Sequence, residues 1–213
     1  MSEAVDRVDS ITMRTKFSYG LGALGKDFAC SIVYLFLMYY YTDVAGVPAA
    51  FVGTLFLVVR MIDAVSDPVM GMIVDNTRTR FGKFRPWIVL GTVINSLALL
   101  ALFSAHLFSG SQLLLFVTVT YIVWGLTYTV MDIPFWSMVP ALSAPREDRE
   151  RLVVWPRLFA SIAWTIVGTY GLASIAFLGE GDEGKGFLLL SGLIIIAFIA
   201  VSYTHLTLPT SSQ

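Results

Sequence analysis

Six apolar runs, each long enough to cross a lipid bilayer, restrict the folds that this chain can adopt. The runs are residues 17–42, 50–74, 87–108, 112–140, 153–178 and 187–203. In the bilayer core every backbone N–H and C=O must find a partner within the protein, so such runs form helices. The chain is 56% hydrophobic and only 14% charged, whereas soluble domains carry about 25% charged residues. The sequence therefore predicts an all-α integral membrane protein with six transmembrane helices.

Basic residues are concentrated in alternate segments between these runs. The N-terminal tail and the segments after runs two and four hold Arg7, Arg14, Lys16, Arg78, Arg80, Lys83, Arg85, Arg146, Arg149 and Arg151. The other connections hold only Lys185. Because short basic loops remain in the cytoplasm, we expect a multi-pass protein of the cell inner (plasma) membrane with a cytoplasmic N-terminus.

The chain is predicted to have three parts: a cytoplasmic tail (1–16), a six-helix bundle (17–201) and a C-terminal segment (202–213). The last segment contains no Lys or Arg, although a cytoplasmic exit from a sixth span should be basic. We interpret this segment as atypical, and as foreign or frame-shifted in origin.

Run two carries a charged stripe at membrane depth. Arg60, Asp63 and Asp67 are spaced three and four residues apart, so they share one helix face. Each charge at the centre of a spanning helix costs about 2.5–3.5 kcal/mol. Pro68 frees a backbone carbonyl one turn back, which is tolerated where the backbone lines a cavity. The stripe therefore indicates a function rather than packing.

Run four carries an aromatic stripe with an acid inside it. Trp124, Tyr128, Asp132 and Trp136 recur every fourth residue, and Thr129 lies beside them. Aromatic residues alone would indicate packing, but an intramembrane carboxylate normally faces a cavity and a partner. An aromatic ring stacks on the C–H face of a sugar, and a carboxylate accepts bonds from its hydroxyls. The stripe therefore favours a sugar site.

Three further charges lie within the spans. Lys26 and Asp27 fall near mid-membrane in run one, and Arg157 lies about one turn into run five. Arg157 either snorkels to the cytoplasmic interface or reaches inward to Asp132 or a substrate; the need of a buried carboxylate for a cation favours the inward position. His106 is interpreted as interfacial, because no second ligand residue lies at a suitable spacing.

Two glycine-containing segments have alternative interpretations. Residues 20–25 match a dinucleotide-binding pattern but lack the strand that such a site requires, so close helix packing is the expected role. Asp75 and the basic residues 78–85 either lock two helices together on the cytoplasmic side or form only a positive-inside anchor.

The charged and aromatic residues belong to longer blocks. These blocks are Gly25-Lys26-Asp27-Phe28-Ala29, Tyr39-Tyr40-Tyr41-Thr42-Asp43, Arg60 with Asp63-Ala64 and Asp67-Pro68, Arg80 with Gly82-Lys83-Phe84, Trp124-Gly125, Met131-Asp132-Ile133-Pro134-Phe135-Trp136-Ser137, and Pro156-Arg157. Over residues 17–201 the chain resembles the glycoside-pentoside-hexuronide cation symporters of the major facilitator superfamily, and within them the melibiose-carrier branch. The resemblance implies an N-terminal bundle with a 3+3 inverted repeat.

The resemblance also implies a role for each site residue. It assigns to the galactoside site Asp27, Asp132, Trp136 and Arg157, with Lys26 and Tyr128 close by. It assigns to the coupling-cation site Asp63, Asp67 and Thr129. Arg60, on the same stripe of run two, is interpreted as the structural counterion of the two aspartates. Ser66 stands where melibiose carriers have Asn, so sodium, lithium and proton all remain open as the coupling ion. Family members have about twelve spans in two bundles, so a C-terminal six-helix bundle is expected to be missing.

The main hypothesis is a cation-coupled, galactoside-type sugar symporter whose N-terminal half carries the cation site and much of the sugar site. Its expected partners are a small glycoside, a monovalent cation, the lipid bilayer and the missing bundle, with no nucleic acid and no cofactor. The alternatives are a truncated six-helix membrane protein without transport activity, or a family member that uses protons with a glucuronide or a pentoside. No enzyme is expected, because no nucleophile with a paired base occurs.

Overall fold

The computed structural model describes the backbone of residues 12–142 and 146–207, and the side chains of these except residues 14, 141, 142, 146–148 and 202–207. The described residues form six long helices: α1 (Met13–Tyr39), α2 (Ala49–Asn76), α3 (Arg85–Leu102), α4 (Gly110–Leu142), α5 (Arg146–Gly179) and α6 (Glu183–Thr207). All six are long and apolar enough to cross a membrane. The prediction of an all-α fold with six transmembrane helices is therefore confirmed.

The helix ends differ in places from the ends of the apolar runs. α3 ends at Leu102, six residues before the end of apolar run three. A single 3₁₀ turn, Ala105–Leu107, follows before the chain enters α4. α5 begins at Arg146, so the mixed-charge residues before run five form its first turns. α6 continues to Thr207, within the predicted C-terminal segment. Residues 1–11 and 208–213 lie outside the described residues; they hold most of the predicted N-terminal tail and half of the predicted C-terminal segment.

The helices pack in a pattern that relates the first three to the last three. α1 packs against α5 and α6, whereas α4 packs against α2 and α3, and α3 also contacts α6. Exchanging the two halves converts the α1–α5 contact into the α4–α2 contact, and the α1–α6 contact into the α4–α3 contact. These two exchanges agree with the predicted 3+3 inverted repeat, in which a site lies at the interface between the repeats, although among the described residues the α5–α6 contact has no counterpart of similar extent between α2 and α3.

Glycines allow the closest contacts between helices. A Cβ atom built on Gly20 of α1 would lie 2.6 Å from Phe159 Cδ2 of α5, and one built on Gly25 would lie 3.1 Å from Val201 Cβ of α6. Small residues let membrane helices approach closely enough for van der Waals packing to hold them together. The interpretation of residues 20–25 as helix-packing glycines agrees with these contacts.

An aromatic cluster closes the end of the bundle opposite the basic segments. After α1 the chain makes a π-helical turn, Tyr40–Val44, and the fully buried Tyr40 ring packs against Phe103 and Phe187, at centroid distances of 5.1 and 4.9 Å. Tyr40 Oη and His106 Nδ1 are 2.8 Å apart. His106 therefore has a structural partner, in agreement with its interpretation as an interfacial residue rather than a ligand.

Candidate functional site

A cavity of about 220 Å³ lies between α2 and α4, with α1 at its border. It is lined by Tyr34, Val59, Arg60, Asp63, Asp67, Trp124, Gly125, Tyr128, Thr129, Asp132 and Ile133. The charged stripe of run two and the aromatic stripe of run four thus face each other across one space, the α2–α4 cavity. The periodicity of each run predicted the faces, and the packing of α2 on α4 brings them together.

Oxygen atoms from both helices meet on one side of the α2–α4 cavity. Thr129 Oγ1 of α4 donates a hydrogen bond of 2.9 Å to Asp67 Oδ1 of α2. Asp63, one turn earlier, has a buried Oδ1 that accepts no hydrogen bond from any described residue. The predicted group Asp63, Asp67 and Thr129 therefore lies together, and it consists of the hard oxygen ligands that alkali cations prefer.

Gly125 leaves space beside the Asp63 carboxylate. A Cβ atom on Gly125 would lie 3.5 Å from Asp63 Oδ1 and 3.0 Å from Val59 Cγ1. The Ser66 hydroxyl is directed elsewhere, since its Oγ donates over 3.4 Å to the backbone carbonyl of Asp63. The side-chain oxygens in the group are thus those of the two aspartates and the threonine.

Arg60 lies at the border of the α2–α4 cavity with its guanidinium held on two sides. Its Nη1 is 3.3 Å from Asp63 Oδ2, and its Nη2 donates to the Tyr34 hydroxyl. The guanidinium also lies over the Tyr34 ring, 5.1 Å from its centroid. This geometry suits the predicted counterion role. Sequence reasoning missed Tyr34, although its spacing of seven from Asp27 places both residues on one face of α1.

A second charged cluster surrounds Lys26, which is only 4% exposed. Its Nζ donates to Asp132 Oδ1 over 2.6 Å and to the Tyr128 hydroxyl over 3.4 Å. Asp27 Oδ2 lies 3.8 Å from the same Nζ, and the Trp136 ring centroid lies 5.4 Å from it. A buried ammonium requires such partners because desolvation of a charge is expensive. Five of the six residues predicted for the sugar site therefore lie together.

Trp164 of α5 completes the surroundings of Asp27. Its Nε1 donates to Asp27 Oδ1 over 3.3 Å, and its ring lies 6.0 Å from the Tyr34 ring. Sequence reasoning missed this residue as well. The available signal was its spacing of seven from Arg157, which puts both residues on one side of α5.

Arg157 is the predicted site residue that the structure places apart from the others. Its side chain is exposed and borders a surface depression together with Arg149 and Glu150. Among the described residues the cation that pairs with Asp132 is Lys26, not Arg157. The expected inward contact with Asp132 is therefore absent from this structure, because α1 rather than α5 supplies the cation. A contact between Arg157 and substrate stays a prediction.

An ion pair lies within the predicted cytoplasmic lock. Lys83 Nζ, in the segment between α2 and α3, lies 2.9 Å from Asp75 Oδ1 near the end of α2. The carboxylate of this pair is largely exposed, and exposed pairs contribute about 0–1 kcal/mol. The pair joins adjacent elements, and the choice between lock and anchor stays open.

The chain matches one family, described as "MFS/sugar transport protein", over residues 18–212. A glucuronide carrier protein homolog of Escherichia coli is 38% identical over 160 residues, which are 72% of this chain and 34% of that protein.

Two other relatives cover more of the chain. An isoprimeverose transporter of Lactiplantibacillus pentosus is 34% identical over 190 residues, 87% of this chain and 39% of its own length. The inner membrane symporter YicJ of Escherichia coli is 30% identical over 198 residues, 92% of this chain and 43% of its own length. The chain thus spans about two fifths of the length of these two relatives.

Proposed function

The chain belongs to the MFS/sugar transport protein family, and from this membership and the α2–α4 cavity we propose that it forms the cation site and much of the sugar site of a glycoside:cation symporter. The family consists of multi-pass transporters and not of enzymes. The nearer kinship with melibiose carriers and a galactoside substrate are part of the proposal.

The observation that carries the proposal is that Asp63, Asp67 and Thr129 share the α2–α4 cavity with Asp132. The Arg60 guanidinium pairs with the Asp63 carboxylate, and Asp67 adds a second carboxylate to the cavity lining, so these three side chains together keep one formal negative charge. A monovalent cation neutralises that charge. An unpaired buried acceptor such as Asp63 Oδ1 costs about 1–3 kcal/mol, and a bound cation recovers this free energy.

The sugar is proposed to bind at Asp132, on the side of this residue that faces away from the proposed cation site. Lys26 holds Asp132 through Oδ1, which leaves Oδ2 as an acceptor for a sugar hydroxyl. Trp136 and Tyr128 supply aromatic surface for the C–H face of the ring. Asp132 and Tyr128 of the proposed sugar site line the α2–α4 cavity together with Asp63 and Asp67, so a bound cation lowers the negative charge next to the sugar. By linkage, the factor by which the cation changes the sugar affinity equals the factor by which the sugar changes the cation affinity. Inward movement of one charge supplies about 2.3 kcal/mol per 100 mV of membrane potential.

Replacement of Asp63 by Cys in the full-length protein tests the cation assignment. We expect stimulation of α-galactoside binding by sodium or lithium to fall at least about tenfold, because the carboxylate with the unpaired Oδ1 is removed. Asp75→Asn is the matched control, since this acid lies on the same helix but pairs with Lys83 outside the cavity. Unchanged stimulation in Asp63→Cys contradicts the cation site; binding measured by flow dialysis across a cation titration decides the outcome.

A second candidate is a proton-coupled carrier of a glucuronide or pentoside. It is favoured by the relative named a glucuronide carrier protein homolog and by Ser66, which makes no side-chain contact with Asp67 among the described hydrogen bonds. In a proton-coupled carrier, the carboxylates of Asp63 and Asp67 share a proton instead of binding a metal cation. Uptake of galactosides and glucuronides in proteoliposomes, with sodium and pH gradients imposed separately, distinguishes the two candidates.

A further inference from the structure

Asp27 is held by donors from two different helices. Trp164 Nε1 of α5 lies 3.3 Å from Oδ1 and donates a hydrogen bond to it. Lys26 Nζ of α1 lies 3.8 Å from Oδ2 on the other side. The carboxylate is 13% exposed, so few other orientations are open to it.

These two donors limit where an external hydroxyl can bind. An ionised carboxylate offers about four lone-pair positions, and Trp164 and Lys26 each lie close to one of its two oxygens. The lone pairs that stay free for a sugar hydroxyl are fixed by the orientation of the carboxylate, and the two donors determine that orientation. The indole N–H of Trp164 is one of these two donors.

The indole ring also joins Asp27 to the α2–α4 cavity. The Trp164 ring lies 6.0 Å from the Tyr34 ring, and Tyr34 lies 6.2 Å from the ring of Trp124. Tyr34 and Trp124 line the cavity. This row of aromatic rings runs from the Trp164–Asp27 bond to the border of the α2–α4 cavity.

We propose that Trp164 is a positioning residue that determines which sugar hydroxyl the protein recognises, by fixing the orientation of the Asp27 carboxylate. The inference rests on the proposed sugar site and adds a specificity determinant on α5. Trp164 acts through Asp27, so its removal changes the selectivity for hydroxyl positions more than it changes the capacity to bind a cation.

Trp164→Phe in the full-length protein tests the inference, because Phe retains an aromatic ring and lacks the N–H donor. The probes are p-nitrophenyl galactosides, glucuronides and xylosides; the tightest binder is then compared with its monodeoxy analogues. In the wild type we expect one analogue to bind about tenfold more weakly than the parent, and Trp164→Phe to reduce this penalty to about twofold. Asp27→Asn should remove the penalty of the same analogue.

Two controls separate positioning from packing. Trp155→Phe changes an indole on the same helix whose ring lies near Phe159, at 6.5 Å, and it should retain the wild-type pattern. The cation concentration for half-maximal stimulation should be the same in the wild type and in Trp164→Phe. An unchanged deoxy penalty in Trp164→Phe overturns the inference, and so does equal weakening of the parent and all analogues. Failure of the wild type to bind any of these glycosides contradicts the proposed function instead.

Discussion

Thr129 is the residue whose side chain links the two walls of the α2–α4 cavity. Its hydroxyl donates to Asp67 Oδ1 and keeps two lone pairs that a cation can use. A hydroxyl can thus order one carboxylate and serve as a ligand at the same time. The comparable threonine Thr118, on the same helix, donates to its own helix at the Leu114 carbonyl and does not line the cavity.

At the residue scale we expect Thr129→Val to raise the cation concentration for half-maximal stimulation of glycoside binding about tenfold, because a donor and a ligand oxygen are lost. Thr129→Ser should remain within about twofold of the wild type, since it keeps the hydroxyl. Thr118→Val is the matched control. An equal shift in Thr118→Val, or none in Thr129→Val, contradicts a role of this hydroxyl at the cation site.

At the scale of elements, α3 and α4 are the helices that place the aromatic stripe. A Cβ atom on Gly91 of α3 would lie 2.8 Å from Met131 Cβ and 2.9 Å from the Met131 backbone nitrogen. Buried Asn95, one turn further along α3, donates through Nδ2 to the Trp124 carbonyl and to Thr127 Oγ1. These contacts hold α4 at a fixed distance and rotation, and thereby determine which residues of α4 face α2.

We expect Gly91→Ala to lower the melting temperature of the protein in detergent, because the new methyl group meets backbone atoms that cannot move aside. Overpacking of this kind destabilises by about 1–3 kcal/mol. Gly53→Ala in α2 is the control: nothing lies within 4 Å of its Cβ position, and alanine favours a helix by about 1 kcal/mol over glycine. Differential scanning fluorimetry compares the two; equal melting temperatures would contradict the close α3–α4 contact.

At the scale of the whole molecule, the distribution of basic residues determines the proposed orientation. The segment between α2 and α3 contains Arg78, Arg80 and Lys83, whereas the segment between α3 and α4 contains no Lys or Arg. Basic loops remain in the cytoplasm. The helices themselves do not specify which end faces the cell interior.

We expect a green fluorescent protein inserted between α2 and α3 to fluoresce in the cytoplasm, and an alkaline phosphatase inserted between α3 and α4 to be active outside the inner membrane. The physical reason is the retention of Arg78, Arg80 and Lys83 on the cytoplasmic side. Exchanging the two reporters between the two sites is the control and should silence both. Activity in the exchanged positions would reverse the proposed orientation.

The sequence by itself determined the six helices of the described part of the chain and the helix faces that carry the candidate site residues. Run length and hydropathy are local properties, so six membrane-spanning helices could be predicted from them. The spacing of Asp63 and Asp67, and of the aromatic residues around Asp132, likewise follows from the helical repeat. These predictions needed no knowledge of which helices are neighbours.

Only the tertiary structure decided the partners across helices. The sequence offered Arg157 as a cation for Asp132, and the fold pairs Asp132 with Lys26. The fold also brings Trp164 to Asp27, and this contact joins residues that are 137 positions apart in the chain. The physical reason is that such pairs depend on the rotation and relative height of packed helices, which close contacts between small residues set and which the periodicity of a single helix does not specify.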